Sequence, residues 1–260
     1  MFEEKLEVHL RNIENTFRML GISNRKLDES IVIDGVEVHI MIDSDANIIG
    51  LSNGQLEEFT VSSDKFWYQI NSSMKIDRLK MYTPCRLGIS DGASINTLEI
   101  FGNRPVAFIT ASNIHKVVIN IRESDYEDGR VLINDFVRKI VNWADESIEC
   151  NISFEYLKKK YRVYLSDKHI SPKYAKAYRN IAKLISGEYN IYFDSIRSLE
   201  ITESGLGVRG TIVRYKEIKW KNLTDNVMAS LKRLLKAFFI YQISGYVPVR
   251  NVDIKVNITD

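Results

Sequence analysis

The stretch Asp34-Gly35-Val36-Glu37-Val38-His39-Ile40-Met41-Ile42-Asp43, continuing Ser44-Asp45-Ala46-Asn47-Ile48-Ile49-Gly50-Leu51, decides the fold class. Val36, Val38, Ile40 and Ile42 alternate with Glu37, His39 and Met41, the period of a strand with one buried face. A second apolar run, Asn47–Ser52, follows the Asp43-Ser44-Asp45 turn, and Ser30–Asp34 precedes the first. Asp34-Gly35 and Asn53-Gly54 mark turns between these runs. Upstream, Lys5–Leu10 alternates like a short strand. Arg11–Leu20 follows as a helix, with Ile13, Phe17 and Leu20 on one face and Gly21 as its stop. Downstream, Phe66–Ile70 reads as a strand, and Ser72-Ser73 caps a short helix reaching Tyr82. Leu87–Ser90, Thr97–Phe101, Val106–Thr110 and Lys116–Ile121 then read as a meander of strands.

The polar stretch Arg122–Gly129, RESDYEDG, is the best linker in the chain. It predicts a first half over 1–121, a connecting loop over 122–130 and a second half over 131–260. The second half opens with a strand at Val131–Ile133 and a helix at Asp135–Asp145 capped by Asn134. Strands at Ile148–Phe154 and Tyr161–Leu165 lead to Ser171-Pro172, a cap and first helical residue. The helix Pro172–Ile185 turns Tyr174, Tyr178, Ile181 and Ile185 to one side. Strands at Tyr189–Phe193, Leu199–Thr202 and Gly207–Tyr215 precede a helix at Asp225–Phe239, capped by Thr224. Strands near Ile240–Ser244 and Val252–Ile258 close the chain. The expected fold is α+β, in two similar halves, each an antiparallel sheet with helices on one face. The repeat is one of architecture, without a matching repeat of residues.

At 260 residues, 45% hydrophobic and 27% charged, the chain can bury a core of one large or two ordinary domains. No stretch has the length of uncharged apolar sequence that spans a bilayer, and the N-terminus lacks the layout of a secretory signal. Cys85 and Cys150 imply no disulfide framework and read as buried small hydrophobes. An intracellular protein, in the cytoplasm or nucleus of a host cell, is expected. Plentiful Ile, Lys, Asn and Tyr beside only four Pro point to an AT-rich genome, such as that of a virus.

Gly205-Leu206-Gly207-Val208-Arg209-Gly210 has the spacing of a dinucleotide loop, but Thr211–Tyr215 after it is β-branched. No helix would start there to receive a pyrophosphate, so a glycine-rich β-turn is expected. Asp43 and Asp45 could hold a divalent ion against a diphosphate, as in nucleotide-sugar transferases, but a plain Asp turn is the expected reading. His9, His39, His115 and His169 share no helix face with other ligands, and His9 and His39 read as structural. The chain carries no hydrolase, zinc-protease or P-loop signature. A protein without cofactor, resident metal or catalysis is expected.

The positive signal is basic side chains on every expected helix: Arg11 and Arg18; Lys75, Arg78 and Lys80; Arg138 and Lys139; Lys173, Lys176, Arg179 and Lys183; Lys232, Arg233 and Lys236. The helix from Pro172 to Ile185 has four basic residues and no acidic one. Such a row can follow phosphates without reading bases. A solvated helix face is the plainer explanation of any single row.

Taken with the opening Met1-Phe2, the 34–51 pattern, the strand and helix over Phe66–Tyr82, a loop near Ile121–Arg130, and Met228–Phe239 followed by Tyr246-Val247-Pro248, the chain resembles the DNA sliding clamps of the proliferating-cell-nuclear-antigen type. The resemblance leaves open whether Asp135–Asp145 or Pro172–Ile185 is the first helix of the second half. It implies a homo-oligomeric ring around duplex DNA, basic helices lining the hole, and no catalysis. It also implies polymerases or other replication and transcription proteins held by short peptides under the connecting loop, near Ile121, Tyr126 and Val131. The expectation is a viral processivity factor. Two others stay open: an interaction protein of unrelated α+β fold, and a metal-dependent transferase using Asp43 and Asp45.

Overall fold

A computed structural model describes residues 1–82, 85–101, 107–110, 114–121, 144–160, 163–166, 171–212, 214–245 and 251–259. The chain is mixed α+β and divides into two compact units. The first comprises Met1–Asn120, Lys139–Ile148 and Arg250–Asp253; the second comprises Ile121–Arg138, Glu149–Val249 and Ile254–Asp260. The expected boundary at 122–130 lies outside the described residues. No described helix is long and apolar enough to cross a membrane.

The first unit starts with α1 (Phe2–Met19) and a hairpin of β1 (Leu27–Ile33) and β2 (Val36–Ile42). β3 (Asn47–Ser52) pairs antiparallel with β2. The strands that follow pair in parallel. β5 (Trp67–Ile70), β7 (Arg86–Ile89) and β9 (Ala107–Thr110) follow β3 in one sheet. β4 (Gly54–Val61), β6 (Met74–Tyr82), β8 (Ser94–Phe101) and β10 (Ile114–Ile121) alternate with them in the other. Consecutive strands therefore change sheets, and the chain returns to each sheet one rung further on. This is a parallel β-solenoid. The expected antiparallel meander, and with it two halves of one plan, is replaced in this unit by stacked rungs.

The rungs repeat every 19 to 21 residues, as Ile48 over Trp67 over Arg86 over Ala107 shows. Their sequence signature is apolar-x-x-apolar-x-apolar: Leu56/Phe59/Val61, Ile76/Leu79/Met81, Ile95/Leu98/Ile100 and Ile114/Val117/Ile119, all buried. Two outward residues separate the first apolar position from the second, so the strand's inward face shifts by one position there. The ladder skips Asp77 on both sides at this corner. A second corner lies between the sheets, where Asn53, Ser73 and Gly92 occupy equivalent places with φ of 52°, 70° and 88°. Left-handed backbone at these three corners turns the chain from one sheet into the other.

The corner explains a correction. Ile76 and Leu79, three apart, suggest a helix over Ser72–Tyr82; they are instead the two inward positions flanking the bend of β6. A second correction concerns the N-terminus, where one helix replaces the expected strand Lys5–Leu10 and helix Arg11–Leu20. Phe2, Leu6 and Phe17 are buried at helical spacing, whereas Val8, which alternation places beside Leu6, is 52% exposed. α1 protects the end of the solenoid. Phe2 meets Phe59 edge-on at 5.8 Å, and the Glu3 carboxylate accepts a hydrogen bond from Thr60 N at 3.2 Å. Thr60 lies on β4, an edge strand whose outer backbone groups need such partners.

β11 (Ala144–Ser153) passes from the first unit into the second at Ile148–Glu149. Ala144 and Asp145, expected to end a helix, begin this strand; the rest of that helix and the strand Val131–Ile133 lie outside the described residues. The second unit contains α2 (Phe154–Lys160), β12 (Tyr164–Ser166), α3 (Pro172–Tyr189), β13 (Ile196–Ile201), β14 (Gly205–Gly210), β15 (Lys216–Lys219), α4 (Asp225–Ser244) and β16 (Asp253–Thr259). β12, β13, β14 and β15 form an antiparallel sheet in that order. Helix α2 is not among the elements expected from periodicity. The expected strand Ile240–Ser244 is the last turn of α4, whose apolar stripe runs on through Ile243.

Candidate nucleic-acid interface

Ser171 and Pro172 start α3 as expected, with Pro at the first helical position, and Asn190 ends it in the left-handed region at φ 52°. Thr224 starts α4: its Oγ1 accepts a hydrogen bond from Val227 N at 3.3 Å. Side chains tie the end of α3 to the start of α4. Thr224 Oγ1 donates to Glu188 Oε2 at 2.6 Å, and Thr224 N donates to the Tyr189 hydroxyl at 3.1 Å. The helices pack through Tyr174, Tyr178, Ile181 and Ile185 on α3 and Val227, Leu231, Leu234, Leu235 and Phe238 on α4, all buried, with Tyr174 and Phe238 rings 6.3 Å apart.

This packing brings two basic rows of the sequence together. Lys173 and Lys176 of α3 and Arg233 of α4 line one cleft of about 200 Å³ with Ala177, Asn180 and Ser230. No carboxylate lines it among the described residues. Lys173, Lys176 and Arg233 are exposed and have no ion-pair partner among the described residues. Arg179 and Lys183 continue the exposed face of α3, Arg179 bonding the Ala175 carbonyl of its own helix at 3.4 Å. Lys236 is half-buried. Lys232 faces elsewhere: its ammonium stands 5.7 Å from the Phe154 ring centre, and Lys158 stands 5.4 Å from the same ring. Asn180 and Ser230, both neutral hydrogen-bonding groups, carry no signal in the sequence. Helical spacing sets Asn180 beside Lys176 and Ser230 beside Arg233, and the packing of α3 on α4 brings the two pairs to one cleft.

The other basic residues are not gathered in this way. Arg11 and Arg18 are exposed on α1, and Arg11 pairs with Glu7 at 3.3 Å. Lys75, Arg78 and Lys80 sit on strand β6 rather than on a helix, and Lys80 pairs with Glu58 at 2.7 Å. Arg138, Lys139, Tyr126, Val131 and His169 lie outside the described residues, and Ile121 is the last residue of β10.

The residues that suggest other chemistry have the following surroundings. Asp43 accepts from the backbone N of Ser44 at 2.5 Å and from its hydroxyl at 3.0 Å, and these bonds hold its carboxyl below the ordinary range. The hydroxyl of Ser44 also reaches Asp45 Oδ1, at 3.4 Å. Asp43 borders a cleft of about 600 Å³ whose lining brings the cations of Arg25, Lys26 and Lys65 beside it. Gly205–Gly210 is strand β14 itself, not the expected turn. A side chain on Gly205 or Gly210 would run into the carbonyl of Ile218 or Ser195, and one on Gly207 into the Tyr215 ring. Cys85 and Cys150 are buried and unpaired, and burial pushes their thiols up to about 11 and about 12. His9 and His39 meet Glu29 and Asp28 at 2.6 and 2.9 Å.

No family model matches the chain, and neither the curated proteins nor the solved structures contain a match to it.

Proposed function

We propose that this chain is a non-enzymatic protein that holds duplex DNA loosely by its phosphates, through the α3–α4 face, and so keeps replication or transcription proteins on the template. One observation carries the reading: Lys173, Lys176 and Arg233 line one cleft with no carboxylate among its described residues. Three cations from two helices can each neutralise a phosphate, and Asn180 and Ser230 can add hydrogen bonds to phosphate oxygen. Long, solvated side chains suit a grip that is sequence-independent and weak enough to move. The proposal takes the tethering role and the loose grip from the resemblance to sliding clamps. It does not include a ring, since the first unit is a solenoid with a single described helix before Ile121.

The test is a fluorescence-anisotropy titration of duplex DNA at several salt concentrations. Binding should weaken as salt rises, and Lys173→Glu with Lys176→Glu should weaken it equally for unrelated sequences. The log–log salt slope should flatten by roughly one for each phosphate that the variant no longer neutralises. Arg11→Glu should change little. Absence of salt-sensitive binding by the wild type removes the proposal.

A further inference from the structure

Asp77, Asn96 and His115 each follow the first inward residue of a rung, Ile76, Ile95 and Ile114, so they occupy one column at the outer corner of the solenoid. Asn96 Nδ2 donates to Asp77 Oδ1 at 2.7 Å within that column. His115 ends it, and there β11 is the neighbour of β10. His115 Nδ1 stands 3.3 Å from Asp145 Oδ1 and 3.5 Å from Glu146 Oε1, and the three atoms lie within 4.8 Å of one another.

Two features set this cluster apart from an ordinary ion pair. Nδ1 and Oδ1 are both closed to solvent, and at 3.3 Å they still form no hydrogen bond with each other or with any other described group. A proton shared between them would need the N–H directed at the oxygen. Instead, one nitrogen and two carboxylate oxygens, one from each residue, lie within 4.8 Å of one another. The spacing also fits a cation. Ligand atoms held at about 2.0–2.2 Å around a tetrahedral ion are roughly 3.3–3.6 Å apart, the range of both distances from His115. Imidazole and carboxylate donors suit a borderline divalent ion such as zinc.

We propose that His115, Asp145 and Glu146 bind one divalent transition-metal ion of the zinc class. Three protein donors leave a fourth position for water. The ion cross-links β10 to β11, neighbouring strands of one sheet. Nothing local announces the site, because 29 residues separate His115 from Asp145 and only strand pairing brings them together.

The probe is the metal alone. Full-length protein stripped with chelator is titrated with Zn²⁺ by calorimetry, and with Co²⁺ by visible absorption. One ion should bind per chain, Co²⁺ should show the absorption of a four-coordinate nitrogen–oxygen site, and the melting temperature should rise with metal concentration. Glu146→Gln, at an exposed side chain, should lower affinity about tenfold or more without changing the melting temperature of the metal-free protein. Loss of a direct ligand should cost at least what loss of a ligand's supporting group costs. His115→Ala should abolish the Co²⁺ spectrum. Binding that survives both substitutions, or no binding by the wild type, overturns the proposal.

Discussion

Leu79→Ala tests the solenoid most directly. Leu79 is fully buried at the inner face of β6, between Phe59 of β4 and Leu98 of β8 in the ladder. Removing three carbons from this site forfeits about 2.4 kcal/mol, at about 0.8 kcal/mol per group. The void adds up to about 2 kcal/mol, because ladder hydrogen bonds on both sides of β6 keep the backbone from closing over it. The expected loss is therefore about 3–4 kcal/mol. Lys75→Ala is the control: it lies on the same strand but is exposed, and should stay within about 0.5 kcal/mol. Urea unfolding measures both, and hydrogen exchange locates the effect. Amides of β4, β6 and β8 should lose protection first, since a solenoid passes stability between neighbouring rungs. A loss under about 1 kcal/mol for Leu79→Ala, or equal losses for the two variants, would refute the stacking of β6 between β4 and β8.

Three further outcomes are expected. Burial raises Cys85 to about 11 and Cys150 and Tyr68 to about 12, with smaller contributions from Asp64 at Cys85 and from Cys85 at Tyr68. The unfolded chain releases these protons first, so the stability is fully present below about pH 8.5 and is lost as pH rises toward about 12; urea midpoints at pH 7 and pH 10 should show the fall, and equal midpoints count against these burials. Thr224→Ala removes the cap of α4 and should cost about 0.5–2 kcal/mol, read by thermal unfolding; an unchanged melting curve would show the cap to be idle. Gly210→Ala drives a methyl into the Ser195 carbonyl and should cost about 1–3 kcal/mol, whereas an alanine at Gly187, which meets open space on α3, should be neutral or stabilising; the reverse order, by urea unfolding, contradicts the β13–β14 register.

Local periodicity is enough to place most individual elements. β2, β3, β5, β7 and the start of α3 fall where alternation, helical spacing and the Ser171-Pro172 cap put them, because those signals are written within one element. The pattern apolar-x-x-apolar-x-apolar beginning at Leu56, Ile76, Ile95 and Ile114 stands in the sequence, but it becomes a repeat only once the parallel pairing is known. Its three-residue step imitates a helix when one copy is read alone, which is why Ser72–Tyr82 reads as helical. What sequence order does not decide is which strand lies beside which. An apolar face is satisfied equally by an antiparallel neighbour or by the next parallel rung, and only long-range pairing chooses between them. The two candidate sites divide in the same way. The charges of α3 and α4 can be read in sequence, but whether Lys173 and Arg233 share a cleft depends on how Tyr174 packs against Phe238. His115 and Asp145 meet only because β10 and β11 are neighbours, a proximity of distant residues that no local pattern encodes.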